Sequence, residues 1–316
     1  MRRFPAPLGL AMLLTLAACA QPDTSTGSAA PDRREEAFQQ RATEVAAAWQ
    51  AAVPPDWRSG YVPLQEPTVV PADARLGEDT KQALIAGWYR ERAPLPSAVP
   101  ADGMIVFPDG RLTVPLVSAE AAYRQLDQGD PPPCPKGPKL PPPPVPADSG
   151  PDGSVSGPAM IACTPLTVTK VELGTTTIRT SRGEATVPAW LFTIDEIAAR
   201  IARVAVAASA TGTPPEPPAP AGTPAEGLVG AQDLVETDGS KLTYRLGVGA
   251  CDTEVTPLVR EQGDLVLLGG TAVRSDGICT DQLVLQPVTV TLEAPLAART
   301  VLDAASGRPL ILTTAR

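Results

Sequence analysis

Thr167-Val168-Thr169-Lys170-Val171-Glu172-Leu173 alternates apolar with polar, and the same rhythm returns over Thr175–Ser181 and Thr186–Ile194, with Arg182-Gly183 between them as a turn. Period two over three successive stretches is the mark of half-buried strands joined by short connections. The passage makes the chain mainly β. Immediately after it the reading divides: Asp195–Ile201 has helical spacing, whereas Arg203-Val204-Ala205-Val206 reads as a strand, and both remain open.

Further on, residues 212–227 are dominated by proline and read as a semi-rigid linker. Beyond it, strands are expected at Lys241–Val248, Asp264–Gly269, Leu283–Leu292, Thr300–Asp303 and Pro309–Thr313, with Ser306-Gly307 as a turn. All connections are short and no amphipathic helix interrupts them. Residues 228–316 therefore form a small antiparallel sheet, sandwich or partly open barrel.

Upstream, residues 129–157 are a proline-rich insert. Before it, Met104–Phe107 and Leu112–Val117 flank Pro108-Asp109-Gly110-Arg111, a hairpin whose Asp-Gly suits a tight turn, and Ser118 then caps a helix over Ala119–Leu126. A second helix is expected over Glu78–Arg90, closed by Trp88 and Tyr89, with short β-like runs at Tyr61–Leu64 and Thr68–Val70. A longer helix begins at Asp32, its N-cap, and spaces Phe38, Ala42, Val45, Trp49 and Ala52 by four and three until Pro54-Pro55 ends it. Its seam is short and alanine-rich, which favours packing on its own domain over a coiled-coil partner. Residues 32–211 are thus an α+β domain, and the fold is two small antiparallel β modules preceded by a helix.

Composition narrows the chemistry. The 316 residues include no histidine, which removes Ser-His-Asp and Cys-His nucleophiles and every His-ligated metal. Lysine occurs only at positions 81, 136, 139, 170 and 241, never in a Ser-x-x-Lys spacing. Aromatic residues make up 4% of the chain, so the cores must be aliphatic. The net charge of −9 disfavours nucleic acid as a partner. No catalytic residues, cofactor or metal ligands are assigned. Asp195, Glu196, Asp252 and Glu254 are the acids from which a hydrolytic pair would be drawn, and Asp276 and Asp281 the nearest approach to an oxygen-only calcium site. Trp190, in Pro188-Ala189-Trp190, is a possible ligand contact, although an alternating strand also suits it as core.

The N-terminus carries an address. Arg2 and Arg3 precede an apolar run from Leu8 to Ala17, too short to span a bilayer, and Leu16-Ala17-Ala18-Cys19 closes it. Residues 1–18 read as a lipoprotein signal peptide, Cys19 as the lipidation site, and residues 19–31 as a flexible stalk. The expected location is the extracytoplasmic face of the cell membrane, with the membrane itself a partner through the lipid on Cys19. The other four cysteines fall as Cys134 with Cys163, 29 residues apart, and Cys251 with Cys279, 28 apart. One structural disulfide per module is expected in an oxidising compartment. The passages after Cys163 and after Cys279 share Thr-Val-Thr and Ser-Arg-Gly-like elements, which reads as a diverged duplication.

The run Gly249-Ala250-Cys251-Asp252, with Val266–Gly270, Cys279-Thr280, Val288–Leu292, Val301-Leu302-Asp303 and Ser306–Leu310, resembles the C-terminal module of uncharacterised actinobacterial lipoproteins of high-GC Gram-positive bacteria. Thr180–Trp190 resembles the companion module. The resemblance implies an exported, lipid-anchored protein and brings no activity with it. The expected function is a non-enzymatic binding or scaffolding protein at the cell surface. The alternatives are an extracytoplasmic receptor for a small ligand or carbohydrate and, behind it, an acid-pair hydrolase.

Overall fold

A computed structural model of the protein describes residues 29–72, 74–131, 164–197, 199–218, 225–274 and 279–313. The signal peptide, Cys19, Cys134, Cys163 and Asp276 lie outside the described residues, as does most of the stalk and of the 129–157 insert. The architecture is mainly β: an N-terminal helix and two largely antiparallel sheets, one of them a half-barrel.

The first sheet grows from the stretch that decided the class. In chain order the N-terminal elements are α1 (Ala29–Ala52), β1 (Thr68–Val69), α2 (Glu78–Ala86), β2 (Tyr89–Glu91), β3 (Gly103–Phe107), β4 (Gly110–Val114), α3 (Ala119–Leu126), β5 (Leu166–Thr180), β6 (Gly183–Ile194) and β7 (Arg200–Val204). The strand order is β1-β7-β6-β3-β4, with β5 along the opposite edge of β6 and β2 parallel to β5. The two runs expected as separate strands, Thr167–Leu173 and Thr175–Ser181, are one continuous β5. Gly174 between them stays in register with Ala189, and its missing side chain leaves room for Leu191. Asp195 to Ile197 turns, and the chain returns as β7 against β6, so the open reading resolves to a strand.

Strand β6 buries opposite faces along its length. Ala185 and Val187 pack with Ile105, Phe107, Val114 and Ile178, whereas Trp190, Phe192 and Ile194 pack with Tyr123 and Leu126 of α3 on the other side. The helix after Glu78 stops at Ala86, earlier than expected. Gly87 takes φ +68 and its N–H, with that of Trp88, closes on the carbonyls of Leu84 and Ala83, which frees Tyr89 to begin β2. Ser118 caps α3 as expected, its hydroxyl accepting from the Ala121 N–H at 3.2 Å.

The second sheet contains β8 (Leu228–Asp238), β9 (Lys241–Gly249), β10 (Thr253–Gln262), β11 (Leu265–Val273), β12 (Leu283–Thr291) and β13 (Thr300–Asp303), ordered β10-β11-β8-β9-β12 with β13 parallel to β11. Strands β8 and β10 are additions to the expected set. At the centre is Leu265-Val266-Leu267-Leu268, buried throughout because both faces are covered. Val266 and Leu268 face the interior with Leu234, Tyr244 and Leu246; Leu265 and Leu267 face α1.

This corrects the placement of the first helix. The face of Phe38, Ala42, Val45 and Trp49 packs on Leu265, Leu267 and Leu302 of the second sheet rather than on the N-terminal domain. An unbroken apolar strand needs a second cover, and α1 supplies it. The helix also begins at Ala29, so Asp32 falls within it instead of capping it. The passages taken as a duplication do not mark equivalent strands: the one after Cys163 enters the long β5–β6 hairpin, whereas the one after Cys279 enters β12, at the end of its sheet.

Two devices join the sheets. Arg179, 3% exposed, extends from β5 and donates to the carbonyls of Ala297 and Arg299. The C-terminal segment passes between the modules: Leu312 exchanges backbone hydrogen bonds with Leu64 and Glu66 on one side, and Leu234 bonds Ile311 and Thr313 on the other, all at 2.9 to 3.0 Å.

Candidate functional site

Where the two modules meet, three irregular segments leave a groove of about 920 Å³. The chain after α1 supplies Pro54, Asp56 and Trp57; the chain after β7 supplies Gly212 to Glu216; the approach to the C-terminal segment supplies Arg308 and Pro309. Proline rings fix φ and present apolar surface without an N–H, so Pro54, Pro214, Pro215 and Pro309 make stiff, donor-poor walls. Trp57 is held edge-on by Trp49, with ring centres 5.5 Å apart at 84°, and the Arg58 guanidinium lies 5.2 Å from its centre. The ring is thereby set in place before any ligand arrives. Arg58 is itself fixed by Thr300 at 2.9 Å and Asp264 at 3.0 Å.

The carboxylates of the groove lie at its exposed surface. Glu216 pairs with Arg308 at 3.2 Å in full exposure, and Asp56 is also exposed. Among the described residues, no group of three or more Cys, Asp or Glu is placed to hold a metal ion.

A smaller cleft, about 260 Å³, opens on the first sheet between Glu66, Thr68, Tyr89, Gln125, Gln128 and Arg203. Its arginine is engaged as a brace, donating to Thr68 Oγ1 at 2.8 Å and to Gln125 Oε1 at 3.0 Å. Burial holds the guanidinium below its usual range, against the opposing pull of Tyr89 and Glu66. Arg203 thus ties β7 to α3.

The residues singled out from sequence are distributed otherwise. Trp190 is 6% exposed in the core of the first module, and its indole N–H donates to the Val117 carbonyl at 2.9 Å, so its ring is not offered to a ligand. The acids named as a hydrolytic set are divided between the modules, Asp195 and Glu196 in the first and Asp252 and Glu254 in the second. Glu196 accepts the Thr167 N–H at 2.7 Å, Asp252 accepts the Gly249 N–H at 2.8 Å, and Glu254 sits exposed at φ +50. Cys251 and Cys279 are joined as a disulfide, with Cα atoms 6.0 Å apart, and the loop that it closes contains β10 and β11. Trp57 and the proline walls were missed as a site, because they belong to segments far apart in sequence with no periodicity in common. The one local signal was a tryptophan directly after a helix-ending Pro54-Pro55. No protein-family model matches the chain, and neither a curated protein nor a solved structure is similar to it.

Proposed function

We propose that the protein is a lipid-anchored, extracytoplasmic binding protein without catalysis of its own, and that the groove between its modules receives an extended polypeptide segment of a partner. The observation that carries this reading is the lining of the groove. Rigid proline walls and one pre-set indole suit an extended chain, which loses little order on docking, and the ion pair at Arg308 and Glu216 marks one end. A glycan would call for several aromatic platforms, and the groove has Trp57 alone. The anchor rests on Leu16-Ala17-Ala18-Cys19; among the described residues no helix is long and apolar enough to cross a membrane.

Two experiments test the proposal. A photo-crosslinking residue at Thr213 in intact cells is expected to capture a discrete partner through an extended segment, whereas the same probe at exposed Met104 captures none. Equal labelling at both positions, or capture that persists in the Trp57→Ala variant, would refute the groove as the binding site. Detergent phase partition addresses the anchor: wild type enters the detergent phase and Cys19→Ala leaves it, and retention of the alanine variant would refute lipidation.

A further inference from the structure

The end of the second sheet at which β12 begins carries apolar side chains on both sides of one strand. Leu283 is 63% exposed, Val284 38% and Leu285 41%, although successive residues of a strand point to opposite faces. The backbone there is also open. Ala250 N–H bonds Gln282 O and Leu292 N–H bonds Ser240 O, which places the even-numbered residues of β12 in the bonds to β9 and turns the N–H groups of Leu283 and Leu285 outward. Pro287 occupies the next outward position and has no N–H, so continuous addition of another strand is blocked. A partner sheet would meet an interrupted edge, and a flat protein surface would cover only one face. A medium that surrounds the strand end covers both.

The position of α1 identifies that medium. The helix runs along β11 with Phe38 against Gly269 and Arg34 against Gly227, whose carbonyl accepts the Ala272 N–H, so its N-terminus lies at the Val273 end of the sheet. That end is shared: Thr253 pairs with Val273, Thr271 with Leu228, and Leu283 with Gly249. Three strand spacings separate β11 from β12, roughly 15 Å across the sheet. Cys19 precedes Ala29 by ten residues, which span at most about 35 Å. A lipid on Cys19 keeps this end of the second sheet within reach of the bilayer.

We infer that Leu283, Val284 and Leu285 dip into the interfacial layer of the membrane that holds Cys19, as a second, non-covalent contact that orients the molecule. The inference rests on the lipid-anchor reading above. Arg274, Asp252, Glu254 and Asp281 lie at the same end of the sheet and keep the immersion shallow. Their mixed signs and the acidic balance of the chain select a zwitterionic surface over an anionic one. The Cys251–Cys279 disulfide stands at the same end and fixes the approach to β12.

Hydrogen exchange on the full chain, made in a cell that processes lipoproteins and bound to phosphatidylcholine vesicles, tests this. The expected result is at least about fivefold slower exchange of the Leu283 and Leu285 amides on vesicles than for Cys19→Ala in solution. The Leu283→Ser/Leu285→Ser double variant is expected to keep its lipid and its melting temperature but lose the protection. The mass of residue 19 is read in the same samples. A missing lipid overturns the anchor reading and this inference together, whereas a lipidated, vesicle-bound chain with unprotected amides overturns this inference alone. Protection that appears without vesicles and grows with protein concentration assigns the strand end to self-association and also overturns it.

Discussion

Asp303 shows how much can depend on one side chain. Its carboxylate, 5% exposed, accepts the N–H groups of Ala231, Ala305 and Ser306 and the Ser306 hydroxyl, all at 2.6 to 3.1 Å. It thereby joins β8 to the turn after β13. Removing this acceptor strands its donors, so Asp303→Ala is expected to lower the unfolding free energy by about 3 kcal/mol in urea titration. Glu261 gives a pH signature. Burial opposes its charge, but the Arg299 guanidinium and the Glu293 N–H outweigh burial and hold the carboxyl below its ordinary range. A carboxyl depressed in the folded state adds stability above its unfolded value, and that stability disappears as the pH falls through the folded value. The unfolding free energy should therefore drop as pH falls below the usual carboxylate range near 4, and Glu261→Gln should flatten the drop while lowering stability at neutral pH.

At the level of elements, what sequence revealed depended on how local the cause was. The β5–β6 alternation, the Ser118 cap and the β3–β4 hairpin were legible because neighbouring residues determine them. β8 was not, because Gly230 and two register shifts, between Ala231 and Asp233 and between Leu234 and Glu236, break its rhythm. β10 was obscured by Pro257 and its charged residues at the end of the sheet order. For α1 the spacing of Phe38, Ala42, Val45 and Trp49 disclosed the buried face but not its partner, since periodicity carries no information about distant strands. The groove was hidden for the same reason. Phe38 is 2% exposed and lies against Gly269, so Phe38→Ala opens a cavity between helix and sheet. The expected loss is about 3 to 4 kcal/mol in chemical denaturation.

The whole molecule behaves as one unit because its joints are buried. Desolvation lowers the Arg179 guanidinium to about 10, against a smaller opposing effect of Glu184, and its donors are turned to carbonyls of the other module. With the backbone bonds of Leu312, this makes each module part of the other's boundary. Calorimetry is expected to show a single unfolding transition for the full chain. Truncation before Pro309 removes the shared segment and should split the transition in two; an unchanged single peak would show that the segment does not couple the modules.

The C-terminal segment also sets an order in time. In synthesis α1 precedes the strand that covers its apolar face, β11, which begins only at Leu265, and residues 310–313 come after that. Until then the early helix has no cover and the modules have no seam. The contacts that complete the molecule are therefore among the most distant in sequence, which slows closure. Under the proposed export across a membrane, that delay would keep the polypeptide threadable until residues 310–313 emerge.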